Sequence, residues 1–305
     1  MSKKKILVLM STYNGQDHLS EQIDSILKQE TSCDVDILIR DDGSTDGTRL
    51  LLEKYNNDYD NIELKLEDNI GCNASFFKLL EYAADHDYYA FCDQDDVWLP
   101  DKLQIAYDAL SKEDNEKPLM YASSSYLVRN DMKIFGETRK QRRPMTMLNT
   151  IIQNICPGHT QVMNQKMLEL LKIKIDTNRI YVYDAWATNV ANLKGKLLFD
   201  NTSHTLYRQY EGNQLGSGAG KFGQLIASVK RGKNGDGYKY RMQVEYFKEV
   251  YEKELKEKGF YDDIEYFVNA KTLGKKMLIP FKSGLYRQRK IETMAFYIAV
   301  LVGKY

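Results

Sequence analysis

Apolar residues run without a break through Ile6-Leu7-Val8-Leu9-Met10, as a strand buried on both faces requires. Turn-forming Ser11-Thr12-Tyr13-Asn14-Gly15 ends the run, and Leu19, Ile23, Ile26 and Leu27 then recur at helical spacing. The unit repeats. Val35 to Ile39 reads as a second strand and enters Arg40-Asp41-Asp42-Gly43-Ser44-Thr45-Asp46-Gly47. There the glycines relax the backbone, and Ser, Thr or Asp can cap a helix carrying Leu50, Leu51 and Leu52. Ile62-Glu63-Leu64-Lys65-Leu66 alternates like a strand with one less buried face. Asn69-Ile70-Gly71-Cys72-Asn73 turns into a helix with Phe76, Phe77, Leu80 and Ala84, and Tyr88-Tyr89-Ala90-Phe91-Cys92 is a fourth strand. Strand–turn–helix repeats of about 30 residues predict right-handed crossovers and a mostly parallel sheet. Ligands of such sheets bind beyond the carboxyl ends of the strands. Three polar loops are therefore expected on one edge: Thr12–Gly15, Asp41–Ser44 and Asp93–Asp96.

The third loop, Asp93-Gln94-Asp95-Asp96, follows a buried strand with three carboxylates in four positions. Carboxylates this close repel one another and resist desolvation unless a cation or donors compensate them. Alone, the cluster reads as a solvated acidic loop; with two more polar loops on the same edge it reads as a cation site beside a phosphorylated ligand. Thr12 and Tyr13 can offer a surface to a nucleotide base and Asp41 or Asp42 an acceptor for its N–H. Asp93 and Asp95, one residue apart, point the same way from an extended loop and suit a hard divalent ion. No G-x-G-x-x-G follows the first strand and no G-x-x-x-x-G-K-S/T occurs, so a dinucleotide fingerprint and a P-loop are both absent. Composition narrows the picture further. Lys+Arg and Asp+Glu number 43 each, so no global field draws the chain to nucleic acid. Cys33, Cys72, Cys92 and Cys156 lack metal-type spacing and read as reduced thiols of a cytoplasmic protein. No apolar run reaches membrane-spanning length, and the one ending at Met10 is short for a signal peptide.

Ser11-Thr12-Tyr13-Asn14-Gly15, Asp41-Asp42-Gly43-Ser44-Thr45-Asp46-Gly47-Thr48, Asn69-Ile70-Gly71 and Asp93-Gln94-Asp95-Asp96-Val97-Trp98 together resemble family-2 glycosyltransferases of the GT-A fold. The resemblance spans roughly residues 5–215, and the Asp-Gln-Asp-Asp loop followed by Trp is closest to a bacterial rhamnosyltransferase-like branch. It implies an α/β domain over 1–216, split into a nucleotide-binding half (1–98) and an acceptor-side half (99–216); Ser217-Gly218-Ala219-Gly220 reads as its boundary, and Val244, Phe247, Val250, Tyr251 and Leu255 at helical spacing make 217–305 mainly helical. It implies a nucleotide-sugar donor (dTDP- or UDP-linked), a divalent cation (Mg2+ or Mn2+), inversion at the anomeric carbon, and a glycan or lipid-linked acceptor. On that pattern Thr12, Tyr13, Asn14, Asp41 and Asp42 meet the nucleoside, Asp93 the ribose side and the metal, and Asp95 the metal, with Asp96 behind them, the register Asp93/Asp95 or Asp95/Asp96 staying open. Two other activities compete: a sugar-1-phosphate nucleotidyltransferase, whose glycine-rich phosphate loop with Lys is missing, and a non-catalytic nucleotide-sugar or glycan-binding subunit.

Downstream, Leu103, Ala106, Tyr107 and Leu110 form a helix that Pro100 can start, and Leu119 to Val128 reads as a strand. Arg139-Lys140-Gln141-Arg142-Arg143-Pro144 reads as a solvated basic turn, the sharper option being a phosphate-bearing acceptor. By resemblance, Gly158 and His159 lie beside the donor sugar, although a lone His is as often structural. An inverting transfer needs a base at the acceptor hydroxyl. The candidate is Asp184, in Tyr181-Val182-Tyr183-Asp184-Ala185-Trp186, which could equally cap the following helix. Tyr183 stands where the family often has His, and Tyr183, Trp186 and Trp98 are placed on the acceptor side. Leu206-Tyr207-Arg208-Gln209-Tyr210 resembles the family's Tyr-Arg-Gln-His region, with Arg208 and Tyr210 assigned to the diphosphate. A phenol is a poor ligand for a hard cation, so Tyr210 leaves a third metal ligand open, with His204 a weaker substitute. The last stretch carries Lys282, Arg287, Arg289 and Lys290 before an apolar run from Met294 to Val302. A docked helix is expected; the alternative is peripheral contact at the inner face of the plasma membrane.

Overall fold

In the computed structural model, residues 3–209 and 236–305 are described. They fall into two compact units. The first comprises the described residues of Met1–Thr138, with Cys156–Thr177 and Gly195–Gln209; the second comprises Arg139–Ile155, Asn178–Lys194 and the described part of Tyr210–Tyr305. The expected division at 216/217, like Tyr210, lies outside the described residues.

The first unit is built on one sheet. Its strands are β1 (Lys5–Thr12), β2 (Asp34–Asp42), β3 (Ile62–Glu67), β4 (Tyr88–Cys92), β5 (Val97–Trp98), β6 (Leu119–Val128), β7 (Ile134–Glu137), β8 (Val162–Asn164) and β9 (Lys196–Arg208). They run in the order β3-β2-β1-β4-β8-β6-β9-β5, with β7 on β6. β3, β2, β1 and β4 are parallel, as the repeated crossovers predict. β8 then pairs antiparallel with both β4 and β6, while β6 and β9 are parallel, so the second half of the sheet is mixed. The unbroken apolar run of β1 is buried on both faces, and alternate residues Ile6, Val8 and Met10 pack with Leu19, Ile23 and Ile26 of the helix Leu19–Leu27.

This order positions the site. The chain leaves β1 for β2 and β3 on one side and returns to β4 on the other, so β1 and β4 flank a topological switch point. Thr12 pairs in register with Asp41, and Met10 with Cys92, so the ends of β1, β2 and β4 are level. At the turn after β2, Gly43 has φ +82°, and a Cβ there would lie 2.8 Å from the Asn69 backbone nitrogen. Only glycine suits both constraints.

β2 also carries a buried cation. Arg40 is 1% exposed and donates to Asp42 (2.5 Å), Glu67 (2.8 Å), Ser75 Oγ (3.0 Å) and the Asp68 carbonyl (2.9 Å). Arg40→Met should destabilise the fold by roughly 3–5 kcal/mol, because the buried Asp42 carboxylate loses its cation. Urea denaturation measures this; a loss under about 1 kcal/mol would show that the network is not stabilising the switch-point edge.

The second unit is helical: Met147–Thr150, Tyr183–Lys194, Asp236–Val250, Glu252–Glu257, Tyr261–Asn269, Leu273–Lys282 and Lys290–Leu301. Its core centres on Trp186, whose ring meets Tyr246 at 5.4 Å, Phe247 at 5.1 Å and Tyr251 at 5.9 Å. The segment expected as a solvated basic turn is instead tied down. Arg139 pairs with Glu292 at 3.3 Å, and the backbone N–H groups of Arg142 and Arg143 both donate to Gln288 Oε1 at 2.8 Å. Side-chain acceptors thus satisfy backbone donors that open solvent was expected to serve. Among the described residues, no helix is long and apolar enough to cross a membrane.

Candidate functional site

The three expected loops meet at the level ends of β1, β2 and β4. Asp41 joins the first two. One of its oxygens accepts from Thr12 Oγ1 (3.2 Å) and from the Ser44 hydroxyl, the other from Ser44 N (3.0 Å) and Arg49 Nε (2.7 Å). Asp42 accepts from Ile70 N (2.8 Å) and Gly71 N (2.9 Å) besides Arg40. Both carboxylates are buried and engaged within the protein, so they hold the loops in shape. Asn14, at φ +47°, donates its N–H to Ser44 Oγ (2.9 Å) and accepts from Thr45 N (2.8 Å). Gln94 ties the third loop to the first: its Oε1 accepts from Tyr13 N at 2.8 Å and its Nε2 donates to the Tyr13 carbonyl at 3.0 Å. The Tyr13 ring is 47% exposed and free to offer a face. Beside this edge a cleft of about 610 Å³ is lined by Arg40, Arg49, Leu66, Glu67, Asp68, Ile70 and Lys78. The Tyr82 hydroxyl, then Arg40, hold the Glu67 carboxyl below its ordinary range.

Past β4, Asp93 and Asp96 converge on His159. Ligand atoms of these three lie within 4.8 Å of one another. His159 Nδ1 is 3.4 Å from Asp96 Oδ2 and 3.6 Å from Asp93 Oδ2, and its Nε2 shares a 2.8 Å hydrogen bond with Ser125 Oγ on β6. The Tyr207 ring lies 4.5 Å from the imidazole and fixes its plane. Asp96 is fully buried; Oδ1 accepts from Arg208 N at 3.1 Å, while Oδ2 has no hydrogen-bond partner. Burial, then the negative charges of Asp95 and Asp93, push its carboxyl well above the ordinary range. A buried orphaned oxygen grouped with a second carboxylate and an imidazole fits a divalent ion that accepts oxygen and nitrogen donors.

The expected residues therefore sort unevenly. Asp95 lies outside the grouped set and Asp96, expected behind it, lies inside. The Asp95 carbonyl accepts from Arg208 Nε at 2.9 Å, and Arg208 also donates to the Asn130 carbonyl and to Glu21. Arg208 is thus buried as a brace of the acidic loop. Gly158 opens the short turn Gly158–Thr160 that presents His159. His204, on β9, sits between Asp200 (3.3 Å) and Asp101 (3.4 Å), away from the group. Trp98 is 2% exposed, with Lys102 Nζ 3.6 Å from its ring centroid, and Trp186 is sealed in the second unit's core. Neither indole offers an open face. Tyr183 begins the helix Tyr183–Lys194, and Asp184 lies in its first turn.

Two contributors escaped sequence reasoning. Ser125 had no signal beyond a small hydroxyl in a strand. Lys102 did have one, since it shares an i, i+4, i+8 stripe with Ala106 and Leu110. Burial pushes its amine down to about 7, against the raising pull of Cys92 and Asp96.

A mixed sheet with a parallel half, polar loops at its switch point and a helical C-terminal region is the architecture of GT-A glycosyltransferases. The family described as "Glycosyl transferase family 2" matches residues 7–171, more than half of the chain, and the chain belongs to that family. It is 28% identical over 223 residues to the dTDP-rhamnosyl transferase RfbG of Shigella flexneri, across 68% of this chain and 74% of that one. It is 30% identical over 135 residues to the Escherichia coli UDP-Glc:alpha-D-GlcNAc-diphosphoundecaprenol beta-1,3-glucosyltransferase WfgD, across 43% of this chain and 49% of the relative. Among solved structures, S. aureus TarS 1–349 in complex with UDP-GlcNAc shares the fold at TM-score 0.57 and 18% identity, covering 90% of this chain and 84% of that one. The mannosyltransferase PcManGT from Pyrobaculum calidifontis, solved with GDP-Man and Mn2+, does so at TM-score 0.53 and 16% identity, over 99% and 76%.

Proposed function

We propose that this glycosyltransferase moves a sugar from a nucleotide-diphosphate donor, with dTDP-rhamnose the first candidate, to a hydroxyl of a cell-surface glycan or its lipid-linked precursor, inverting the anomeric carbon. The observation that carries the reading is the Asp93/Asp96/His159 group at the switch-point edge. The relative named as a dTDP-rhamnosyl transferase supports the choice of sugar.

Thr12, Tyr13 and Asn14 take the nucleoside, with Tyr13 presenting its exposed ring and Asp41 and Asp42 keeping the flanking loops in place. Asp93, Asp96 and His159 would hold Mg2+ or Mn2+. The bound ion supplies charge neutralisation for the leaving diphosphate. Ser125 and Tyr207 hold the imidazole in its plane, and Arg208 keeps the Asp95–Asp96 backbone from moving away. Asp184 takes the proton of the attacking hydroxyl.

A panel of dTDP-, UDP- and GDP-sugars, assayed for binding and turnover with Mn2+ or Mg2+, tests the donor assignment. Asp93→Ala should weaken Mn2+ binding by about 100-fold, whereas Asp95→Ala should change it by less than about tenfold, a difference of one lost ligand. The reverse order would restore Asp95 as the ligand. No turnover of any donor would end the transferase reading of the site.

A further inference from the structure

The helices Leu273–Lys282 and Lys290–Leu301 pack against each other in the second unit, yet each turns an apolar stripe outward. Leu273, Met277 and Phe281 recur at i, i+4, i+8, with Leu278 beside them; Ile291, Met294, Ile298 and Val302 follow at i, i+3, i+7, i+11. All eight are exposed, Phe281 at 83%. Inward positions on the same helices behave normally: Ile279, Phe296 and Val300 are buried, and Phe296 meets Phe267 at 5.7 Å. The outward stripes are therefore a second apolar surface, separate from the packed one. Single exposed apolar residues are ordinary, but a grouped set on paired helices marks an interaction surface.

Charge identifies the occupant. From Lys271 to Tyr305 there are eight basic residues (Lys271, Lys275, Lys276, Lys282, Arg287, Arg289, Lys290 and Lys304) and one acidic residue, Glu292. Glu292 is turned to Arg139 and Gln153. Among the described residues, Lys271, Lys275, Lys276, Lys282 and Lys290 form no ion pair, although lysines elsewhere in the chain commonly do. A second copy of this surface would set lysines against lysines and gain little from the apolar contact. An anionic bilayer surface matches both features, with headgroups meeting the lysines and the stripes entering the interface. We propose that the helix pair Leu273–Lys282 and Lys290–Leu301 docks the protein on an anionic lipid surface. This stands apart from the donor assignment and would hold whichever sugar is transferred.

Flotation of the full chain with phosphatidylcholine vesicles, with and without one-third phosphatidylglycerol, tests it. Wild type should float with the anionic vesicles and remain unbound with the neutral ones, and binding should fall as salt rises. Each basic side chain near the surface strengthens partitioning by about fivefold. Lys275→Glu/Lys282→Glu/Lys290→Glu should therefore abolish flotation, and Phe281→Glu/Ile298→Glu should lower the bound fraction at least tenfold. Unchanged circular dichroism and an unchanged melting temperature show that both variants are folded. Three results would overturn the proposal: no flotation of wild type, equal flotation with both vesicle types, or a dimer in light scattering that Phe281→Glu dissolves.

Discussion

Asp96→Asn should raise thermal stability and at the same time remove activity. Asp96 is fully buried beside Asp93 and Asp95, and its Oδ2 has no hydrogen-bond partner. Its carboxyl is pushed well above the ordinary range, so the folded state favours the protonated form more than the unfolded chain does. The sign follows by linkage. The stability this group contributes is fully present below its unfolded value of about 4 and is lost as pH rises through the raised folded value. Asn cannot ionise, and its Oδ1 can still accept from Arg208 N. Relief of one orphaned buried acceptor is worth about 1–3 kcal/mol. The melting temperature should then rise by roughly 2–4 °C at pH 8 and stay level near pH 4. Turnover should fall about 1000-fold if, as proposed, Asp96 is one of the groups that hold the charge-neutralising ion. Wild-type Mn2+ binding should also release a proton, tightening up to about tenfold per pH unit while that proton is displaced. Calorimetry in buffers of different ionisation enthalpy reads the release. A variant that binds Mn2+ and turns over normally would remove Asp96 from the site.

The opposite effects on stability and activity reflect how the edge is built. Arg40, Asp41, Asp42 and Gln94 are satisfied within the protein and hold three loops in place, whereas Asp96 is left under-compensated at their centre. One under-compensated buried carboxylate, with hydrogen-bonded supports around it, is what a cation site prepared before binding requires.

How far this was legible in the chain depends on the range of the interactions. β1 to β4 and their helices follow local rules, namely unbroken apolar runs, glycine turns and helical periodicity, and the first 98 residues could be read in order. β9 could not. Lys196–Arg208 mixes exposed and buried positions and owes its strand form to pairing with β6 and with the two-residue β5, contacts that leave no period in the sequence. Site residues divide the same way. Asp93 and Asp96 were visible as a costly cluster, but which carboxylate turns inward depends on His159, 63 residues beyond Asp96. Trp98 and Trp186 were placed on the acceptor side. Lys102 and the Tyr246–Tyr251 ring cluster claim their faces through contacts that local periodicity does not specify.

Asp184→Asn should separate catalysis from binding. Asp184 lies in the first turn of Tyr183–Lys194, only 8% exposed. The Thr188 hydroxyl donates to the Asp184 carbonyl at 2.8 Å, fixing that turn. Asn keeps the size and the backbone geometry and loses the proton-accepting oxygen. The kcat for transfer to an acceptor hydroxyl should fall by about 1000-fold, while donor affinity and Mn2+ affinity change less than about threefold. The acidic limb of the kcat–pH profile, which reports protonation of the base, should vanish with it. A structural role predicts a different pattern: the melting temperature and donor affinity would drop together, and the limb would persist in what activity survives. Wild-type kcat in the folded variant would mean that the acceptor proton leaves by another group, and the base would then have to be sought elsewhere in the chain.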